Sequence, residues 1–196
     1  MRRNKSLLLL LVFCFLSLVY SGEGIAGTLQ DVKRRGKLFA GVKTEYPPLG
    51  FLDNKGVNKG FDIDIARTLA KELFGREGVV EFVPVMSENQ IAFLTLGKID
   101  IIVGTGITEE GKRKIDFSIP YFISGQSILV RGGSKITKYQ DLAGKQVATI
   151  RGSKGDMAIG KLVSGAQRIK FEHPSEAMQA LTEHRVEAFV EDCFSL

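Results

Sequence analysis

Two glycine-rich turns and one pair of acids carry the residue types that could do chemistry. The first turn opens the stretch from Gly104 to Tyr121, GTGITEEGKRKIDFSIPY. Gly104 and Gly106 bracket Thr105, so the backbone can turn sharply and leave its amides uncovered. Thr108 is placed to cap a short helix, with Glu109 and Glu110 in its first turn. Free amides, a hydroxyl and a helix start beyond a strand form a small-anion site; the plainer reading is an ordinary strand-to-helix turn. The second turn is Arg151-Gly152-Ser153-Lys154-Gly155. It lacks the longer glycine-to-lysine spacing of a nucleotide-hydrolase phosphate loop. The acids are Glu191 and Asp192, at the end of a strand, where they could meet a cation or simply face water.

Other chemistries are poorly served. His173 and His184 are the only histidines, too few for a zinc site or a histidine-based catalytic centre, so surface or capping roles are expected. No metal and no cofactor are expected. Asp62 and Asp64 open a helix, where its dipole favours carboxylates, and they read as capping residues. The net charge of +5 is mild. No Lys/Arg cluster interleaves with aromatics as a nucleic-acid surface would need.

The elements that must position these residues follow from pattern. Arg2, Arg3 and Lys5 precede an apolar run from Leu7 to Tyr20, and small residues follow to Gly27. That is a secretory signal, too short for the roughly 20 residues of a membrane span, with cleavage expected after Ala26. Without it Cys193 is the only cysteine and no internal disulfide can form. Lys37 to Val42 reads as a strand. The prolines of Lys43-Thr44-Glu45-Tyr46-Pro47-Pro48 stiffen the turn that holds Tyr46 at its carboxyl end. Gly60 to Gly75 is a helix with Ile65, Leu69 and Leu73 in an apolar stripe beside Ala66 and Ala70. A strand from Val79 to Val85, a helix from Glu88 to Leu96 capped by Ser87, and a strand from Ile99 to Val103 complete a βαβαβ run. Such a run predicts a parallel sheet with helices on both faces. Ligands collect beyond the carboxyl ends of such strands, where Tyr46 and the Gly104–Gly106 turn are both placed.

After a strand at Ser127 to Val130, Arg131-Gly132-Gly133-Ser134 breaks the pattern and marks a lobe boundary. Strands at 145–150, 168–171 and 187–190 then alternate with helices at 156–163 and 175–184, repeating the beginning of the first lobe. No terminal helix covers the last strand, which predicts a truncated chain.

These motifs together resemble the extracellular solute-binding proteins of bacterial ABC transporters, in particular the polar amino-acid family with the type II periplasmic binding-protein fold. Four segments carry the likeness: GKLFAGVKTEYPPLGF, KGFDIDIARTLAKEL, ITEEGKRKIDFSIPY and DLAGKQVATIRGSKG, with EAFVEDCFSL as a weaker fifth. The resemblance implies an α/β, two-lobed chain: a signal peptide over 1–26, lobe one over 27–130 and an incomplete lobe two over 131–196. It implies an L-amino acid, or a related small carboxylate, gripped between the lobes. Tyr46 would pack over the ligand. Gly104, Thr105 and Gly106, with Gly152, Ser153 and Lys154, would receive its carboxylate, and Asp192 its ammonium. The family pattern has a carboxylate-binding arginine after the Thr-x-Glu. Here alignment on Ile115-Asp116-Phe117-Ser118 puts Gly111 in that place and alignment from Asp100 puts Lys112 there. Lys112 or Arg113 could substitute, and so could Lys154, though a lysine is a point charge and not a planar fork. The resemblance further implies a monomer in the periplasm that delivers its ligand to a membrane permease, without covalent chemistry. A sensory domain, or an enzyme on the same scaffold, is the alternative.

Overall fold

The computed structural model describes residues 29–194; the expected signal peptide lies outside them. Helix α1 (Leu29–Arg35) leads into β1 (Leu38–Val42), which pairs in parallel with β5 (Val80–Pro84) on one side and β6 (Ile101–Ile102) on the other. Between them lie a small antiparallel sheet and a helix. The sheet comprises β2 (Glu45–Tyr46), β3 (Gly50–Leu52) and β4 (Asn58–Lys59); the helix, α2, spans Phe61–Phe74. The short helix α3 (Gln90–Thr95) follows β5. The expected βαβαβ run and its parallel sheet are present.

Helix α2 stops where a glycine permits: Gly75 takes the left-handed conformation (φ 67°) and its N–H bonds back to Lys71. Its buried face differs from the expected stripe. Ile63, Ala66 and Ala70 face the sheet, whereas Leu69 is 45% exposed. Two alanines let the helix axis approach β1, whose Ala40 and Val42 share a core cluster with Ile63, Ala66 and Val103. Ser87 does not cap α3, which starts at Gln90 with Asn89 before it.

The second sheet has the order β7-β10-β8-β9, from β7 (Gln126–Val130), β8 (Gln146–Ile150), β9 (Gln167–Phe171) and β10 (Ala188–Asp192). Its two connecting helices are α4 (Lys154–Leu162) and α5 (Pro174–Thr182). Side chains alternate across it with a period of two. Val147, Ala188 and Val190 pack with Ile159 of α4, and Ala148, Ile150 and Phe189 pack with Ala177, Ala180 and Leu181 of α5. Strands β8, β9 and β10 run parallel, whereas β7 is antiparallel to β10, with Gln126 opposite Asp192. This corrects the expected boundary after residue 130. Strand β7 belongs to the second lobe, and the chain crosses between sheets in the segment 104–125.

Candidate functional site

The carboxyl ends of β1 and β6 face those of β8 and β10, and one hollow of about 70 Å³ lies between them. Gly104, Thr105, Gly106, Gly152, Ser153, Lys154 and Asp192 line it. They join turns from both sheets. Gly104 adopts φ 80° and Gly152 φ 71°, so each turn depends on a residue without a side chain. Ser153 caps α4 by accepting the Asp156 N–H (3.2 Å), which aims the first turn of the helix at the hollow. The Lys154 side chain lies across Gly106, where a Cβ would run into its aliphatic stem. Asp192 is held from behind: its Oδ1 accepts from Gln126 Nε2 (2.6 Å) and Ser124 Oγ (3.3 Å).

Four expectations change. Tyr46 is buried but lines an adjoining hollow of about 110 Å³, which meets the first at Lys43 and Ser87. Lys112 lines neither hollow; it is exposed and paired with Glu109 (2.7 Å) in the 3-10 turn Gly111–Arg113. Gly111 is buried, a Cβ there would press on Phe117 and Thr108, and Arg113 does not line the hollow either. The Gly104 amide is also committed. It donates to the Tyr121 hydroxyl (2.7 Å), which donates in turn to Asp62 Oδ1 (2.9 Å). Asp62 is therefore a buried acceptor beneath the turn and makes no side-chain cap to α2. Thr108 does act as a cap, accepting from the Gly111 N–H (2.9 Å).

Residues missed by the sequence reading, Lys43, Ser87, Gln90, Phe117 and Met157, also line the hollow, as does Glu191, which that reading paired with Asp192. Glu191 does not face water; it is 1% exposed and its Oε2 has no hydrogen-bond partner. Gln90 Oε1 and Gln126 Oε1 are likewise buried without partners. Unpaired buried polar atoms cost about 1–3 kcal/mol each, and Ser87, Gln90 and Glu191 carry theirs on residues that line the hollow. Burial pushes the Glu191 carboxyl above its usual value, with Lys43 partly offsetting it. Burial lowers the Lys43 ammonium, against the pull of Glu191, Asp192 and Asp62, while Lys154 adds to the lowering. The lone signal for Lys43 was its position, a lysine directly after the apolar β1.

The raised Glu191 carboxyl has a testable sign. A carboxyl that folds more readily protonated imposes no penalty below its ordinary value of 4.5, and a growing one as pH rises through its raised value. Glu191→Gln should therefore be more stable than the parent at pH 7 in urea denaturation, and the gap should close below pH 4.5. A gap that is independent of pH would refute this account.

At the rim the lobes touch directly. Arg151 pairs with Glu172 (2.8 Å) of its own lobe and with Glu88 (3.4 Å) of the other, and His173 Nδ1 meets Glu45 Oε2 at 2.9 Å.

Residues 38–191 match the family model described as bacterial extracellular solute-binding proteins, family 3. The chain belongs to this family. Two curated members are a glutamine-binding protein of Geobacillus stearothermophilus, 42% identical over 88% of this chain, and an ABC transporter glutamine-binding protein of Bacillus subtilis, 39% identical over 88%. The chain spans 68% of the length of the first and 64% of the second. Among solved structures, an arginine-bound binding protein of T. maritima is 36% identical, with a TM-score of 0.80 over 86% of this chain and 78% of that one. A cysteine-binding protein of Campylobacter jejuni is 33% identical, with a TM-score of 0.80 over 84% of this chain and 66% of its own. An ancestral amino-acid-binding protein, described as a precursor of cyclohexadienyl dehydratase, is 40% identical, with a TM-score of 0.78 over 85% of this chain and 74% of its own. The fold is the two-lobed, type II periplasmic binding-protein fold. The two curated members described above are glutamine-binding proteins.

Proposed function

We propose that this chain is the substrate-binding component of an ABC transporter, and that it takes up a polar amino acid in the hollow between its lobes. One observation carries the reading: turns from two separate sheets present hydroxyls, amides and an ammonium on one wall and a braced carboxylate on another. That arrangement suits a zwitterion. Thr105, Gly106, Ser153 and Lys154 receive the α-carboxylate, Asp192 the α-ammonium, and charge-assisted bonds make both ends stronger than neutral contacts. Tyr46 supports the wall from the adjoining hollow rather than covering the ligand. The glutamine-, arginine- and cysteine-binding relatives support an amino acid as the class. Contacts on both lobes let the ligand favour the closed form through its differential affinity for it. The protein acts as a monomer in the periplasm, exported by a cleaved N-terminal signal, and hands its ligand to a membrane permease. No covalent step is assigned to it.

Thermal unfolding against a panel of polar amino acids tests this directly. A ligand at 100 times its Kd adds about 2.7 kcal/mol of stability, roughly 5–10 °C for a domain of this size. If no amino acid moves the transition, the reading is wrong.

A further inference from the structure

Resting on that amino-acid reading, we propose that Lys43 reads the ligand's side chain and makes this a receptor for acidic amino acids. The ends of a zwitterion are already provided for by Lys154 with its neighbouring turns and by Asp192. Lys43 is a second cation in the same hollow. It sits in the turn after β1, and with Ser87 it lines both hollows. A side chain leaving the first hollow toward the second passes the Lys43 ammonium.

That ammonium is uncommitted. Nζ lies 4.2 Å over the Tyr46 ring, and among the described residues it makes no hydrogen bond and no ion pair. The acids of the second hollow are engaged elsewhere, Glu45 with His173 at 2.9 Å and Glu172 with Arg151 at 2.8 Å. A guanidinium or ammonium entering here would meet Lys43 before any free carboxylate. Glu191 and Asp192 lie close enough to pull on Lys43, but one is buried and the other is assigned to the α-ammonium. Burial makes the lysine costly to charge, and a second carboxylate brought by the ligand compensates for that cost. An amide oxygen can accept a bond from Nζ but brings no charge, so it is the weaker partner.

Isothermal calorimetry with L-glutamate, L-aspartate, L-glutamine and L-arginine on the chain and on Lys43→Met decides the matter. The parent should bind one of the two acids about tenfold or more tighter than glutamine, with arginine weakest. Methionine keeps the length and removes the charge. It should weaken the acidic ligand about 10- to 100-fold and glutamine by no more than about threefold. Glutamine or arginine binding the parent as tightly as the acids overturns the proposal, as does a Met variant that keeps the parental order. The parental order decides alone if the variant does not fold. Binding of none of the four to the parent is a different result: it removes the receptor reading, and this inference with it.

Discussion

Asparagine in place of Asp192 should weaken binding of any α-amino acid by at least about 30-fold. The substitution keeps shape and alters charge. Oδ1 is pinned by Gln126 Nε2 at 2.6 Å and by Ser124 Oγ, which leaves the carboxylate no freedom to turn away from the hollow it lines. A pre-positioned acid loses little entropy on binding, so most of its attraction to an ammonium appears as affinity. Removing one partner of a desolvated charge pair costs about 2–5 kcal/mol, because the other charge is left without compensation. Calorimetry on the folded variant gives the number, and a desamino analogue of the ligand should show no such loss. If the amino acid binds the variant as before, its ammonium rests on another group, and the assignment of Asp192 fails.

Gly155→Ala should cost both stability and affinity, although it adds a single methyl group. A Cβ at Gly155 would stand 2.5 Å from the Val190 carbonyl oxygen and 3.0 Å from Gln126 Oε1. The nearest obstacle is backbone in the centre of the second sheet, so it cannot swing aside as a long side chain would. Helix α4 must lift off β10. Overpacking of this kind costs about 1–3 kcal/mol, which for a domain of this size lowers the melting temperature by roughly 2–12 °C. The same displacement carries Ser153 and Lys154 away from Asp192, so affinity should fall along with stability. Gly106→Ala offers the contrast, since the three atoms nearest its Cβ all belong to the flexible Lys154 side chain. It should spare the melting temperature and act on binding alone. Equal melting temperatures for Gly155→Ala and the parent would contradict the close approach of α4 to β10.

What was legible in the sequence was local. The helix between Gly60 and Gly75 is bounded by glycines whose backbone shape requires them, and the two glycine-rich turns declare themselves in the same way. Once both turns stand at strand ends, the topology of a parallel sheet brings them to one side. What was not legible depended on distant pairing. Nothing within Gln126–Val130 tells which sheet it joins; its antiparallel fit to β10 decides that from far along the chain. Leu69 belongs to the helical stripe by spacing, yet the sheet accepts the narrower alanine face instead. The Lys112 assignment followed an alignment, and the fold spends that lysine on Glu109. Lys43 escaped notice, and the burial of Glu191 went unread, because a buried charge is recognisable only once the groups around it are in place.

Tyr121 gives the molecule a built-in optical reporter. Its hydroxyl bridges the Gly104 amide and the Asp62 carboxylate, so the crossing segment is fastened to the very turn that lines the hollow. The chain contains no tryptophan and four tyrosines, so its near-ultraviolet emission is that of tyrosine alone. A phenol hydrogen-bonded to a carboxylate emits weakly. Any rearrangement of the crossing segment that loosens this bridge should brighten the chain, allowing lobe movement to be followed in solution without an attached dye.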